Sequence, residues 1–309
     1  MLDNLKRGHL EAVTPGATFV EADLNDPGAM DWVFERQSID SVMHLAADSL
    51  VGESFQHPDW YIRNNVVGGL NLLDAMVKHG AKEMVFSSSA AVYGNPSDMP
   101  ITENRPLEPV NTYGDTKAIF ERILNRYWEA YGLKYVSLRY FNVAGASMNY
   151  GEDHHPETHL IPNVIRVALV GKGSIPVYGT DYATRDGSCI RDYIHVLDIA
   201  RAHIKCLEWL QENPEPDVFN LGNGAGFSVL EVINTIREVT GCDIQVKPSP
   251  RRPGDPERLV ADSSKIEREV GWSPDYPDLE SIIHSAWKWH RDNPAGYSYA
   301  SRSNRESQL

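Results

Sequence analysis

The sequence is poor in cysteine, in positive charge and in long apolar runs, and each shortage argues against a class of protein. Cys189, Cys206 and Cys242 are widely spaced and form no CxxC pair, which argues against a disulfide framework or a cysteine-based zinc site. Because 43 Asp and Glu outnumber 29 Lys and Arg, neither nucleic acid nor an anionic membrane is expected as the main partner. No apolar run reaches membrane-spanning length, and no signal-peptide core is present. We therefore expect a cytoplasmic protein with reduced thiols.

The first half of the chain alternates strand-like and helix-like segments. Strands of this kind, separated by helices, pair in parallel, so we predict an α/β fold with a doubly wound, Rossmann-like parallel sheet. Ligands of such sheets bind beyond the carboxyl ends of the strands, where Asp23, Ala46, Ala47 and the serines 87–89 fall. The predicted strands are 18–23, 41–47, 83–88 and 135–140, and the predicted helices are 27–36, a segment around 60–79 and one after Tyr113.

From about Gly145 onward the loops become longer and richer in Gly, Pro and His, and the helices become shorter. We interpret 1–145 as the sheet domain and 146–296 as mainly a smaller α/β substrate-binding region with returns to the main sheet. The polar segment 297–309 is predicted to be a disordered tail.

The most informative local pattern is Tyr113 followed four residues later by Lys117, with serines 87–89 upstream. Apolar residues recur at helical spacing from Ile119 to Tyr131, so Tyr113 and Lys117 are expected on one face of a helix. A free tyrosine titrates near pH ~10, and bringing its pKa to about 7 takes roughly 4 kcal/mol, which Lys117 and a cationic cofactor can supply together. A bare YxxxK is common, and by itself it favours an ordinary surface helix.

Five further segments, in a fixed order along the chain, are more specific than this pair. They are 44–54 (HLAADSLVGES), 64–66 (NNV), 86–94 (FSSSAAVYG), 139–145 (RYFNVAG) and 191–196 (RDYIHV). With them the chain resembles the extended short-chain dehydrogenase/reductase family, and within it the branch that epimerises nucleotide sugars. The resemblance extends over nearly the whole chain.

The resemblance implies NAD as the cofactor. A carboxylate at Asp3 is implied to accept from the adenine-side ribose hydroxyls, which favours NAD over a 2′-phosphorylated cofactor. Asp23 and Leu24 are implied to contact the adenine. The full implied set of cofactor-binding residues is Asp3, Asn4, Asp23, Leu24, Leu45, Ala46, Ala47, Ser49, Asn64, Ser87, Tyr113, Lys117 and Tyr140.

The resemblance also implies the chemistry. Tyr113 is implied as the base that takes the sugar O4 proton, Lys117 as the residue that holds the nicotinamide ribose and lowers the Tyr113 pKa, and Ser89 as a hydrogen-bond partner of the reacting hydroxyl. The implied activity is that of an NAD-dependent isomerase, which interconverts UDP-galactose and UDP-glucose through a 4-keto sugar. A homodimer is the implied assembly.

The UDP-sugar is implied to lie among residues from both halves of the chain. Arg191 and Arg252 would clamp its diphosphate, because arginine forks match phosphate oxygens, and Asp255 would accept from the uridine ribose. The implied substrate-binding set is Ser89, Tyr113, Asn142, His159, Tyr178, Arg191, Arg252 and Asp255.

The chain departs from the family pattern at its start. Family members begin with a strand and a GxxGxxG turn, and we expect about 30 residues, roughly one βα unit, to be absent here; a misplaced start at Met1 is our hypothesis. Ser49 stands where some family members have a lysine. Leu259 stands where the family controls the space for an N-acetyl group at the sugar C2, so the use of N-acetylated sugars stays an open question.

Three alternatives therefore stay open: a UDP-glucuronate 4-epimerase, a UDP-N-acetylglucosamine 4-epimerase, and an inactive, truncated nucleotide-sugar-binding protein. The related 4,6-dehydratases are less well supported. They carry an Asp-Glu pair after the serine or threonine of the third motif, whereas Ala90 and Ala91 follow Ser89 here.

Two further patterns have ordinary interpretations. The run GNGAG at 222–226 is predicted to be a tight turn into a helix capped by Ser228 and Glu231, not a phosphate loop. The histidines and carboxylates of 152–159 suggest a metal site, but Pro156 interrupts any helix that would align them. We predict a solvated loop there and no metal; its members are Glu152, Asp153, His154, His155, Glu157 and His159.

Overall fold

Strands and helices alternate along the first half of the chain in the computed structural model, which describes residues 1–252 and 255–297. Short 3-10 helices cover Leu10–Ala12 and Ala90–Tyr93. The predicted alternation is confirmed. In chain order the elements are β1 (Leu2–Asp3), β2 (Val20–Glu21), α1 (Pro27–Arg36), β3 (Ser41–His44), α2 (Val51–Gln56), α3 (Pro58–Tyr61), α4 (Gly68–His79), β4 (Glu83–Ser87), α5 (Thr112–Tyr131) and β5 (Lys134–Tyr140).

The second half has shorter strands and several isolated strand pairs. One of its strands joins the main sheet. The elements are β6 (Asn142–Ala144), α6 (Leu160–Val170), β7 (Ser174–Tyr178), β8 (Ile190–Arg191), β9 (Tyr193–His195), α7 (Val196–Glu212), β10 (Asp217–Leu221), β11 (Phe227–Ser228), α8 (Val229–Thr240), β12 (Gln245–Ser249), β13 (Arg258–Leu259), α9 (Ser264–Val270) and α10 (Leu279–Asp292).

Local sequence signals explain where the main helices begin and end. The Asp26 side chain accepts from the backbone N–H groups of Gly28 and Ala29, and Pro27 occupies the first turn of α1. Asn111 caps α5 in the same way by accepting from Gly114 N, and Gly132, with φ of 69°, ends that helix in the left-handed conformation. These caps fix the first turn of α5, in which Tyr113 lies.

The central sheet has the strand order β10-β5-β4-β3, and all of its neighbouring strands are parallel. Side chains alternate between its two faces, as strand geometry requires. Met84 and Phe86 of β4 belong to a core with residues of α4 and α5, whereas Val85 belongs to a core with residues of α7. Helices therefore cover both faces, and the predicted doubly wound α/β architecture is confirmed.

The first two strands form a separate parallel pair, with Leu2 opposite Val20 and Asp3 opposite Glu21. Helix α4 connects this pair to the rest of the fold. The Asn71 side chain donates to Leu24 O (2.8 Å), and α1, which follows β2, packs against α4. The carboxyl ends of β1 and β2 thus carry Asp3, Asn4 and Asp23.

Most of the second half encloses a core of its own. Val164 of α6, Ile233 of α8 and Ile282 of α10 are completely buried in one cluster, which also includes β7. In contrast, β10 pairs with β5, with Asn220 opposite Arg139. The capping box predicted from Ser228 and Glu231 is present at the start of α8, and it confirms that GNGAG leads into a capped helix.

Several boundaries differ from the sequence prediction, and the strand predicted at 18–23 is only Val20–Glu21 in the structure. The helix expected around 60–79 is divided into α3, a π-helical stretch at Ile62–Val67, and α4. The predicted strand 41–47 ends at His44, because its ladder with β4 ends at the pair His44 and Phe86. Leu45 to Ala47 are therefore free to turn over the end of the sheet.

The predicted disordered tail lies outside the described residues except for Tyr297. This tyrosine stacks on His9 with ring centroids 4.9 Å apart, and its backbone N–H donates to Asp153 (2.9 Å). Tyr297 is thus a packed residue. Within the part of the chain that the structure describes, no helix is both long and apolar enough to cross a membrane.

Candidate active site

Tyr113 and Ser89 meet where α5 faces the end of β4. Ser89 begins the 3-10 helix Ala90–Tyr93, and its hydroxyl accepts from Ala91 N (3.1 Å). Tyr113 is only 9% exposed, and burial raises its pKa, while a side-chain hydrogen bond with Ser89 acts in the opposite direction. The two predicted catalytic hydroxyls are therefore adjacent in a site nearly closed to water.

Lys117 is buried one turn beyond Tyr113. Its ammonium donates to the carbonyl of Ser87 (2.7 Å) and lies 4.9 Å from the ring centroid of Phe86 and 5.8 Å from that of Tyr113. Burial lowers the pKa of Lys117 to about 7, although the charge of Glu121 acts in the opposite direction. Near neutral pH this lysine is therefore close to its point of half-protonation.

The sequence prediction assigned a lower Tyr113 pKa to Lys117 and a cationic cofactor together. For the protein's own groups, burial raises the pKa of Tyr113. The reason is that the same burial removes solvation from the phenolate and from the ammonium. A lower Tyr113 pKa would therefore require positive charge from a bound group, beyond what Lys117 supplies.

Tyr140, from the end of β5, completes this group of hydroxyls. Its phenol makes a short hydrogen bond with the Ser87 hydroxyl. Burial raises the pKa of Tyr140, and the proximity of Tyr113 raises it further. Ser87, Tyr113 and Lys117, which are buried, and Ser89 and Tyr140, which are half-buried, therefore form one cluster at the carboxyl ends of β4 and β5.

The loop after β3 is tied to this cluster through Asn65, a residue that sequence analysis did not include in the site. The Asn65 side chain accepts from Asp48 N (2.8 Å) and donates to Asp48 O (2.9 Å) and to Thr116 Oγ1 (3.1 Å). Asn64, which was included, donates to Asn65 Oδ1 (3.1 Å). Of the remaining predicted residues of this loop, Leu45, Ala46 and Ser49 are exposed, and Ala47 is half-buried.

The predicted adenosine-binding residues lie together at the ends of β1 and β2. Asn4 donates to Asp23 (2.9 Å), and Asp3 accepts from Leu5 N (2.7 Å). Burial acts to raise the pKa of Asp23, but hydrogen bonds from Asn25 and Asn4 outweigh it and lower the pKa. Leu24 is buried beside them. Two carboxylates are thus held at one sheet end, as the sequence predicted for a ribose and adenine site.

A second group of predicted residues lies on the strands of the second half. Arg191 donates to Ile190 O (2.8 Å) and forms a short ion pair with Asp255. The guanidinium of Arg252 lies 3.9 Å from the ring centroid of Tyr178. Pro253 and Gly254, which supported this part of the prediction, lie outside the described residues.

Asn142 connects the two groups, whereas His159 does not. Asn142 follows Tyr140 closely in sequence, and its backbone N–H donates to the carbonyl of Asp192, next to Arg191. In contrast, the side chain of His159 contacts Glu152 and Glu157. Among the contacts of the described residues, His159 is not joined to the other predicted substrate residues.

A buried polar network behind the cluster was also missed from sequence. Arg139 donates to both carboxylate oxygens of Glu121 and to Tyr93 Oη (2.9 Å), and Ser88 donates to Glu121 Oε1 (2.5 Å). The Tyr93 hydroxyl then donates to Asn220 (2.7 Å). A glutamate and an arginine at apolar helix and strand positions are the sequence signal that could have revealed this pair.

His44 is a further missed residue. Burial and, to a lesser extent, the charge of Lys117 together lower its pKa to about 3. Its imidazole lies against Phe86 and Phe120, with centroids 5.7 and 5.4 Å away. A neutral imidazole therefore forms part of the wall beside Lys117.

Comparison with known proteins places this geometry in a family. A family model described as GDP-mannose 4,6 dehydratase matches residues 1–285. The UDP-glucose 4-epimerase of Halalkalibacterium halodurans is 50% identical over 300 residues, which cover 96% of this chain and 90% of that protein.

Solved structures agree with this placement. A crystal structure of a UDP-glucose 4-epimerase aligns with a TM-score of 0.94 at 49% identity, covering 96% of this chain and 91% of the other. The UDP-glucose 4-epimerase of Brucella ovis in complex with NAD aligns with a TM-score of 0.90 at 44% identity, covering 93% and 89%. The chain therefore belongs to the UDP-glucose 4-epimerase family.

Proposed function

We propose that this protein interconverts UDP-galactose and UDP-glucose by oxidising and re-reducing the sugar at C4 with a bound NAD. The observation that carries this proposal is the cluster of the half-buried Ser89 with the buried Tyr113 and Lys117 at the carboxyl ends of parallel strands. Such a position is where ligands bind in this architecture. Membership of the UDP-glucose 4-epimerase family supports the same reaction.

The residues present fit a dinucleotide. Asp3 and Asp23 offer carboxylates at the ends of β1 and β2, as ribose hydroxyls require. Gly8 lies so close to Asp3 that an added Cβ would come within 2.8 Å of the carboxylate, so a side chain there would crowd the site. The bonds of the described residues use one of the three donors of the Lys117 ammonium, which leaves donors for a ribose. NAD, when bound, would supply reversible two-electron oxidation at C4 and a positive charge near Tyr113.

The protein's own part of the reaction is acid–base chemistry. Tyr113 Oη would take the O4 proton in the first half-reaction and return it in the second, while the Ser89 hydroxyl orients O4. Lys117 would hold the ribose and share the positive charge that favours the Tyr113 phenolate. The enclosed position of Tyr113 keeps water away from the 4-keto sugar, which protects it from side reactions.

The substrate's nucleotide would be held by the second half of the chain. We propose that Arg191 and Arg252 bind the diphosphate, with Asp255 at the uridine ribose and Tyr178 and Asn142 completing the pocket. The support is the grouping of Tyr178, Arg191, Arg252 and Asp255, two of which are cations in an acidic chain. In this proposal residues 1–145 bind the cofactor, and residues 146–296 mainly bind the substrate.

Neighbouring positions argue against dehydration. Ala90 and Ala91 follow Ser89 at the start of the 3-10 helix, so this position supplies no acid–base group for elimination at C5 and C6 of the sugar. For this reason we favour epimerisation, even though the matching family model is described as a dehydratase.

We further propose a cytoplasmic homodimer. Trp60, Ile62, Val67 and Ile119 are exposed apolar side chains on elements that pack against one another, α3 to α5. Such a face favours association with a second copy. The cysteines are free thiols, which suits a reducing compartment. Light scattering on the purified chain tests the dimer.

The experiment for the reaction is conversion of UDP-galactose to UDP-glucose, measured together with bound NAD. We expect Tyr113→Phe to retain NAD and to lose about 10²–10⁴-fold in kcat, since it removes the acid–base group. The matched control is Tyr131→Phe, which changes an exposed tyrosine of the same helix and should leave kcat unchanged. UDP-N-acetylglucosamine and UDP-glucuronate in the same assay decide between the sister activities. A wild-type chain that binds a UDP-sugar but converts none of the three contradicts the proposal.

A further inference from the structure

The loop between β6 and α6 brings four possible metal ligands together although no helix aligns them. Glu152, His154, Glu157 and His159 each offer one ligand atom, and these atoms lie within 4.8 Å of one another. The sequence predicted a solvated loop here because Pro156 prevents a helix. The backbone is indeed irregular, but it turns back so that both carboxylates and both imidazoles face a common point.

Glu157 is the least expected member of this cluster. Its side chain is only 1% exposed, and its Oε2 atom makes no hydrogen bond within the structure. A buried carboxylate oxygen without a donor is costly, because desolvation is not repaid by a partner. His154 Nδ1 lies 3.9 Å from this oxygen and 3.2 Å from Glu152 Oε1, with which it forms an ion pair. Glu157 Oε2 is therefore a buried ligand atom without a hydrogen bond, and it lies beside the other ligand atoms of the cluster.

The other carboxylate oxygen of Glu157 is already fixed. Its Oε1 accepts from the backbone N–H groups of Thr158 and His159, each at 2.8 Å. The Asn163 side chain, one turn into α6, donates to the carbonyls of Glu157 (3.3 Å) and His159 (2.8 Å). Metal ligands are usually oriented by such outer hydrogen bonds. Glu157 is thus held in place before anything binds.

The spacing of the ligand atoms fits a small tetrahedral cation. Bonds of about 2.0–2.2 Å in a tetrahedral site separate neighbouring ligand atoms by about 3.3–3.6 Å. His154 Nδ1 is 3.2 Å from Glu152 Oε1 and 3.9 Å from Glu157 Oε2, and the four ligand atoms all lie within 4.8 Å of one another. The contact between His159 and Glu152 is shorter and would have to open by a small movement of two side chains.

From these observations, we propose that Glu152, His154, Glu157 and His159 form a binding site for one divalent transition-metal cation of the zinc type. Two imidazoles favour zinc and its neighbours over magnesium or calcium, which prefer oxygen ligands. Two carboxylates neutralise the charge of a divalent ion. The histidines are 41% and 50% exposed, so an ion can enter from solvent. The site stands independently of the proposed reaction.

The test is titration of the untagged, chelator-treated protein with Zn²⁺, by calorimetry and by competition with a chromogenic chelator. We expect one saturable site per chain. Glu157→Gln keeps the shape of the side chain but removes its charge, so it should weaken Zn²⁺ binding about 10-fold or more. Glu208→Gln is the matched control, since Glu208 is an exposed glutamate on α7, and it should leave the affinity unchanged.

His154→Gln provides a second variant in case Glu157→Gln does not fold, because His154 is partly exposed. It too should weaken binding about 10-fold or more, and circular dichroism verifies the fold of each variant. Absence of a saturable site in the wild type overturns the proposal. Equal Zn²⁺ affinity in the wild type and in a folded Glu157→Gln or His154→Gln variant overturns it as well, and so does displacement of Zn²⁺ by millimolar Mg²⁺.

Discussion

Lys117 and Arg252 are both cations of the proposed site, but they are held in opposite surroundings. Lys117 is 4% exposed, and burial lowers its pKa to about 7. Arg252 is exposed and lies over the ring of Tyr178. An arginine keeps its charge in any protein environment, whereas a buried lysine loses its charge readily. The charge near Tyr113 is therefore conditional on what binds there, while the charge at the nucleotide end is permanent.

The comparison shows that the buried end and the exposed end of the site have different roles. The buried end needs groups whose protonation changes during the reaction, and low solvation brings the lysine pKa toward neutrality. The outer end needs to attract a diphosphate and release it, which suits exposed cations whose interactions are weakened by water and salt. Three substitutions can break or sharpen this contrast, beginning with the largest expected effect.

The stability of the buried end of the site depends most on the ion pair of Glu121 and Arg139, whose side chains are each 6% exposed. Arg139→Met leaves Glu121 buried without its cation, and we expect a loss of about 3–5 kcal/mol in the free energy of unfolding. Chemical denaturation measures it. The control is Arg126→Met in the exposed pair with Glu129, which should change stability by no more than about 0.5 kcal/mol. Similar losses of stability in both variants would contradict the expected difference between the buried and the exposed ion pair.

The second prediction concerns pH. The pKa of Lys117 is lowered in the folded state to about 7, from 10.5 in the unfolded chain, so the unfolded state binds more protons between these values. Stability contributed by this group therefore rises with pH across that window, by up to about 1.4 kcal/mol per pH unit. Lys117→Met should remove this rise. Urea unfolding of both proteins at pH 7.5 and 9.5 tests it, and equal pH slopes would refute the buried, titrating lysine.

The smallest effect is expected at the outer end. Arg252→Lys keeps the charge but loses the planar fork and part of the stacking on Tyr178, so KM for the UDP-sugar should rise about 3- to 10-fold with kcat unchanged. Arg251→Lys is the matched control, because Arg251 instead pairs with Asp181 and stacks on Tyr182. If Arg251→Lys raised KM as much as Arg252→Lys, the assignment of Arg252 to the diphosphate would be wrong.

Local signals made much of the fold predictable. The structure contains the helix predicted at 27–36 and the helix predicted from the apolar spacing after Tyr113, and β4 differs from the prediction by a single residue. The doubly wound sheet followed from the order of these elements. The π-helical stretch at Ile62–Val67 was not predictable, because its side-chain spacing differs little from that of an ordinary helix.

The site was predictable where motifs carry it and not where long-range contacts do. Tyr113, Lys117 and Ser89 stand in recognisable segments, and they lie together. The burial that raises the pKa of Tyr113 was not predictable, since burial is a property of the whole fold. The convergence of Glu152 with His159 was missed for a related reason. An irregular loop has no periodicity from which the direction of its side chains can be inferred.

Tyr93 and Asn220, which share a hydrogen bond in the folded protein, are synthesised at different times. Asn220 is made 127 residues after Tyr93. At a synthesis rate of ~5–20 residues per second, this interval lasts roughly 6 to 25 s. Until β10 is made, the edge of β5 that it will pair with stays open, and such an edge invites pairing with other chains. The strand that completes the sheet thus comes from the second half of the chain, and the nascent first half must remain soluble until that strand is available.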